Sequence, residues 1–179
     1  GYLLNDAKNN NFDYVQLPTG IQPRAAFGYS ASLLLLTFVK IGLINKIYSK
    51  HLFDSIDSIK SNSLKYASLS NDNDSLNLAK AIYNKFPIIY CTANTEVIGF
   101  RFRCQLAENS KILSSHFVLP EQNHNEIEGF SNNDISNYAI IWIKDENDNK
   151  LTLKRVDITS KLLDKIENQY VFSDKSSSL

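Results

Sequence analysis

Five consecutive residues, Pro87-Ile-Ile-Tyr-Cys91, carry no charge and no alternation of polar with apolar positions. A short continuous apolar run is the pattern of a strand covered on both faces, as in a parallel sheet packed between helices. Helical spacing is found on either side of it. Upstream, Arg24 to Leu43 is dense in Ala and Leu and stops near Gly42. About Lys50 to Ala67 places Leu52, Phe53, Ile56, Ile59 and Leu64 on one face, and Asp74 or Ser75 can cap a further helix through about Phe86. Downstream, Thr95 to Leu113 carries an apolar ladder at Ile98, Phe102 and Leu106. Ser115 to Leu119 and Tyr138 to Lys144 read as strands joined by a loop from Pro120 to Phe130. After a polar turn from Asp145 to Lys150, Leu151 to Val156 reads as a strand and Asp157 to Asn168 as a helix capped by Asp157 or Thr159. Val171-Phe172 opens a last strand. Nearer the start, Phe12 to Leu17 alternates like a short strand until Pro18-Thr19-Gly20 breaks it, and residues 1–11 read as a linker or edge segment. This alternation of helices and strands predicts an α/β fold: one domain over 12–179, a three-layer α/β/α sandwich with a mostly parallel sheet.

Composition narrows the function classes. At 179 residues with 43% hydrophobic residues, the chain can build a core without staples. Nineteen basic residues balance nineteen acidic ones, so no global field attracts nucleic acid or an anionic membrane. The longest apolar run, Leu33 to Val39, is too short to span a bilayer and is closed by Lys40. Cys91 and Cys104 form no Cys-x-x-Cys pair and are expected as reduced, buried small hydrophobes. With no secretory pattern at the start, the expectation is a cytoplasmic protein. Neither a Gly-x-Gly-x-x-Gly nor a Gly-Lys-[Ser/Thr] loop is present, so nucleotide chemistry has no support.

In open α/β sheets, ligands gather beyond the carboxyl ends of strands. Three polar clusters are candidates there. They are Pro18-Thr-Gly-Ile-Gln-Pro-Arg-Ala-Ala26, then Arg101, Arg103, Gln105, Glu108, Asn109 and Lys111, then Glu121-Gln-Asn-His-Asn-Glu-Ile127. They supply a carboxylate, an imidazole and a guanidinium, enough for proton transfer beside a carbonyl. Each also has a plainer reading. Arg24 can pair with an acid near a helix start, Glu108 can be a solvated helix charge, and His124 between two Asn can be a turn residue. His124 and Glu126 form no recognised metal-ligand spacing.

Taken together, the clusters carry a resemblance. Pro18-Thr-Gly-Ile-Gln-Pro-Arg-Ala-Ala-Phe-Gly-Tyr-Ser30, Arg101-Phe-Arg-Cys-Gln-Leu-Ala-Glu-Asn-Ser-Lys111 and Leu119-Pro-Glu-Gln-Asn-His-Asn-Glu-Ile127 occur in order. Asn77-Leu-Ala-Lys80 and Pro87-Ile-Ile-Tyr90 lie between the first and second. From about residue 12 onward the chain resembles the second sugar-isomerase (SIS) domain, a flavodoxin-like fold, of the bifunctional phosphoglucose/phosphomannose isomerases. The resemblance implies aldose–ketose isomerisation of glucose 6-phosphate or mannose 6-phosphate to fructose 6-phosphate through a cis-enediolate. It implies Glu108 as the base, His124 in ring opening and Arg24 as fixed positive charge for the enediolate oxygen. It also implies a homodimer in which His124 reaches the partner's site, an N-terminal SIS domain in the intact protein, and neither metal nor organic cofactor.

The chain departs from the family pattern in places. Ala107 stands where Asn is usual before the Glu, and Arg103 where Lys is common. The family's phosphate-holding Ser and Thr belong to the first SIS domain, and its ring-assisting Lys to a terminal helical region. Neither has a counterpart here, and nothing in 174–179 substitutes. The expectation is a fragment that is silent by itself. The alternative is a non-catalytic SIS module that binds a sugar phosphate or dimerises.

Overall fold

A computed structural model describes residues 1–70, 73–131, 133–166 and 169–174, with residue 174 by backbone alone. The chain divides into two compact units, Gly1–Ser68 and Leu69–Leu179.

The first unit is helical. The segment read as a linker forms α1 (Tyr2–Asn9), and the expected strand over Phe12 to Leu17 does not form. Phe12, Tyr14, Val15 and Leu17 are exposed, and a β pattern with no neighbouring strand has nothing to complete its backbone hydrogen bonds. A 3₁₀ turn, Pro23–Ala25, uses Pro23 where no intrahelical donor is needed and leads into α2 (Phe27–Lys40). Beyond Ile41, Gly42 takes a left-handed φ of 78°, which ends the helix where the sequence places its stop. The next helix, α3 (Ile47–Ala67), packs on α2, yet neither buries a single residue. Of the stripe read from spacing, Leu52 is half-buried, whereas Phe53, Ile56, Ile59 and Leu64 are exposed.

The second unit contains the sheet. Asn73, rather than Asp74 or Ser75, caps α4 (Asp74–Ile82), its Oδ1 accepting the Leu76 N–H at 3.0 Å. Among the described residues four strands follow: β1 (Phe86–Cys91), β2 (Ser115–Val118), β3 (Tyr138–Asp145) and β4 (Gln169–Asp174). They run parallel in the order β2-β1-β3-β4, with Tyr90 level with Phe117 on one side and Trp142 on the other. Side chains alternate between faces as a strand requires. Ile88, Tyr90, Ile140 and Trp142 meet Leu119, Val156, Leu163 and Ile166, whereas Ile89, Cys91, Ala139 and Ile141 meet Ile82 and Leu106. The sandwich therefore has its three layers, with α4 and α5 (Glu96–Gln105) on one face and α7 (Lys150–Leu162) on the other.

Tertiary packing revises two more boundaries. Leu151 to Val156 is not a strand but the first half of α7, and the helix stops at Leu162 rather than near Asn168, a residue outside the described set. Asn149 caps it by accepting the Leu151 N–H at 2.8 Å, so neither Asp157 nor Thr159 does. Val156, Thr159 and Leu163 are buried at i, i+3 and i+7, while Leu151 is exposed. Helical spacing toward the sheet wins over the local look of Leu-Thr-Leu. The loop from Pro120 to Phe130 is also partly ordered, as a 3₁₀ turn, Glu121–Asn123, and a one-turn helix, α6 (Glu126–Gly129). The segment from Lys175 to Leu179 lies outside the described residues.

Gly99 fixes how closely α5 approaches the sheet. A methyl group there would overlap Cys91 Sγ and press on Ile89 Cγ2 at 3.4 Å. Gly99→Ala is expected to lower the urea midpoint by the equivalent of about 1–3 kcal/mol, the usual cost of overpacking. Adding Cys91→Ala, which removes the obstructing sulfur, should recover much of it; no recovery would contradict this packing. For the first unit, light scattering of the isolated chain should show self-association that Phe53→Glu with Ile59→Glu suppresses. A monodisperse 20.3 kDa species before substitution would contradict it.

Candidate functional site

Glu108 comes from the way α5 ends. The expected helix to Leu113 stops early: Leu106–Ser110 is a π turn, and Lys111 then adopts a left-handed φ of 59°. The Leu106 carbonyl accepts from both the Lys111 and the Ile112 N–H. Leu106 is buried in the core, so the turn is pinned at its first residue while Glu108 stands in solvent. Lys111 Nζ donates to the Glu108 carbonyl at 2.7 Å, leaving the carboxylate clear of that ammonium bond. Single π turns are frequent at functional positions. Arg101 and Gln105 share the preceding turns, with Gln105's amide oxygen best turned toward Arg101 Nη2 at 2.7 Å.

His124 comes from the segment after β2. It closes the 3₁₀ turn Glu121–Asn123, its N–H bonded to the Glu121 carbonyl at 2.9 Å, and its ring is exposed. The residues around it point inward or along the turn. Gln122 is 1% exposed. Asn123 Nδ2 donates to Thr159 Oγ1 on α7 at 2.6 Å and to Gln122 Oε1 at 3.1 Å. Asn125 caps Glu126, and Glu126 Oε2 accepts the phenolic hydrogen of Tyr90 at 3.0 Å. In the sequence Tyr90 has no role in the site, Gln122 and Asn123 stand out only as members of a polar cluster, and Thr159 only as a cap candidate. The one legible signal was a tyrosine hydroxyl inside a strand otherwise fully apolar, which needs a partner when buried.

In a single copy Glu108 and His124 are not brought together. The crossover α5 returns from beyond the carboxyl end of β1 to the side where β2 begins, so Glu108 precedes β2 and His124 follows it. Four strand residues, on the order of 13 Å of chain, separate the two ends. Arg24 lies in the first unit, half-buried in the turn Pro23–Ala25. Where the strand order reverses, the carboxyl ends of β1 and β3 are closed by their own bonds. Asn94 Nδ2 donates to Asp148 Oδ1 at 2.7 Å, and Thr95 Oγ1 to the Ile143 carbonyl at 2.7 Å. No cluster of three or more His, Cys, Asp or Glu suited to a metal occurs among the described residues. No helix of the described residues is long and apolar enough to cross a membrane.

Burial raises the Glu126 carboxyl above its ordinary value, and the Tyr90 bond only partly opposes this. The folded state therefore holds the proton to higher pH than the unfolded chain, which releases it near 4.5. Stability from this group falls as pH rises from about 4.5 through the higher folded value. Glu126→Gln cannot titrate, so its unfolding free energy relative to the parent should climb across that window and level off above it. Urea titrations at a series of pH values check this, and a flat difference would contradict it.

The geometry can now be set beside known proteins. Residues 71–175 match the family model described as the bacterial phospho-glucose isomerase C-terminal SIS domain. The chain is 35% identical over 168 residues to a bifunctional phosphoglucose/phosphomannose isomerase of Caldicellulosiruptor bescii, covering 91% of this chain and 49% of that protein. It is 32% identical over 167 residues to the same-named protein of Aquifex aeolicus, covering 92% and 48%. It thus spans about half the length of the curated relatives it matches. A crystal structure from Clostridium difficile 630, assigned as a phosphosugar isomerase, superposes with a TM-score of 0.55 at 15% identity, covering 95% of this chain and 49% of that one. The likeness in fold agrees with the parallel sheet and its two helical layers, and the sequence matches settle the lineage: this chain belongs to the bacterial phosphoglucose isomerase family and carries its C-terminal SIS domain.

Proposed function

We propose that this domain serves the isomerisation of glucose 6-phosphate or mannose 6-phosphate to fructose 6-phosphate, within a protein that also holds an N-terminal SIS domain. After ring opening, Glu108 takes the proton from C2, leaving a cis-enediolate, and returns it to C1 as the proton on the C2 oxygen passes to the C1 oxygen, so one carboxylate serves both carbons. His124 moves a proton between the ring oxygen and its hydroxyl. To Arg24 the family resemblance assigns a permanent charge for the enediolate oxygen, which stabilises negative charge more in the transition state than in the bound sugar. These steps are proton transfers alone and call for neither metal nor organic cofactor.

The observation that carries this reading is the exposure of Glu108 and His124 at opposite ends of β2. Neither is spent on the fold, and one copy does not assemble them. A second copy that lends His124 would complete the site, so a homodimer is part of the proposal. Phosphate recognition is assigned to the N-terminal domain, so the 179-residue chain by itself is expected to be silent in a coupled assay.

The test uses the protein made from the complete reading frame that contains this segment. Glu108→Gln should lower kcat by at least about 100-fold, the lower range of general-base contributions. Sugar-phosphate affinity should change little. Near-normal turnover in that variant would displace Glu108 as the base. Sugar-phosphate binding by the parent protein with no turnover of either hexose would favour the non-catalytic module instead.

A further inference from the structure

We propose that Tyr90, Glu126 and Gln122 are positioning residues that hold the turn after β2 so that His124 alone projects from it. This rests on the reading of His124 as the ring-opening group.

The turn is tied at both flanks to different layers of the domain. On the near side, Gln122 is sunk in the core and Asn123 bonds to Thr159 of α7. On the far side, Asn125 Nδ2 donates to Glu121 Oε1 at 3.2 Å and its Oδ1 accepts the Glu126 N–H at 2.7 Å. Glu126 in turn accepts from Tyr90, which is fully buried in the central strand between β2 and β3. His124 is the one member of 122–126 whose side chain makes no hydrogen bond among the described residues.

The choice of residues is costly for a purely structural turn. Tyr90 packs against Trp142 with ring centroids 4.8 Å apart and the planes tilted by 42°, a place phenylalanine would fill without a hydroxyl to satisfy. Glu126 is held where burial disfavours its charge. Gln122, buried in the core, lies beside the Tyr90 phenol, and among the described residues its Nε2 makes no well-formed hydrogen bond. A chain that only needed to turn would use apolar residues at 90 and 122. With these polar groups, the direction of the imidazole is set from a buried central strand of the sheet, as proton transfer to a defined oxygen requires.

Ring opening can be read apart from isomerisation, because any group that opens and recloses the ring also interconverts the α and β anomers. The complete protein carrying Glu108→Gln is assayed for catalysed anomer exchange of glucose 6-phosphate by NMR exchange spectroscopy. Into it are placed His124→Asn, Tyr90→Phe and, as a second variant that leaves the strand intact, Glu126→Ala. His124→Asn, Tyr90→Phe and Glu126→Ala are each expected to slow anomer exchange by about 10-fold or more, the scale of a small misplacement of a reacting group. Glucose 6-phosphate affinity should stay within about threefold, which loss of folding would not permit. Tyr90→Phe should add little on top of His124→Asn, since both act through one imidazole. Slower exchange in His124→Asn with parental rates in both Tyr90→Phe and Glu126→Ala would overturn the positioning role while leaving His124 in place. Parental exchange in His124→Asn would overturn the ring-opening reading of His124, and the positioning proposal with it.

Discussion

A hydroxyl buried in the middle of a sheet must be answered, and in this domain the answer joins the core to the site. Tyr90 sits in the central strand with no exposed surface, flanked by Trp142 on one side and Phe117 on the other. Its phenol cannot reach water, so an unpartnered O–H there would cost on the order of 1–3 kcal/mol. Glu126 supplies the acceptor from the segment beyond β2. Burial and that nearby carboxylate both push the phenol's ionisation far above its ordinary range, which keeps Tyr90 the donor in this bond. The strand that organises both cores thus also fixes the turn that displays His124.

The other candidate group depends on a second close contact. Gly99 lets α5 lie against Cys91, and Leu106 anchors its far end beside Ile82, Ile89 and Ile141. The π turn follows directly and turns Glu108 outward. Burial raises the Cys91 thiol to about 11, so it stays protonated beside the helix and acts as packing rather than as a nucleophile. Because a parallel crossover must return the chain from the end of one strand to the start of the next, residues on the crossover helix and residues after the second strand fall at opposite ends. That rule of topology, more than any local preference, separates Glu108 from His124 within one copy and gives the proposed dimer its reason.

Much of this was legible in the residues. Continuous apolar runs marked β1 and β3, and the ladder Ile98, Phe102, Leu106 marked the helix between the first two strands. The stop at Gly42 and the polar cluster around His124 were also visible. Other expectations failed where local pattern and tertiary context disagree. Phe12 to Leu17 alternates like a strand but pairs with no strand among the described residues. Leu151 to Val156 looks extended over six residues but belongs to a helix whose buried positions continue to Leu163. Caps shifted by one residue at Asn73 and by several at Asn149, because cap choice depends on which carbonyls and N–H groups the packed helix leaves open.

By itself, then, the sequence determined the class of fold, through the spacing of its apolar residues, and the family, through the order of its motif blocks; the roles of Glu108, His124 and Arg24 are proposed from that resemblance. The tertiary structure alone decided that α5 ends in a π turn, that β2 divides Glu108 from His124, and that Tyr90 reaches Glu126 across 36 positions of sequence. Those facts depend on which buried polar groups find one another and on the path of a crossover over a sheet, and neither is encoded in the periodicity of any one segment.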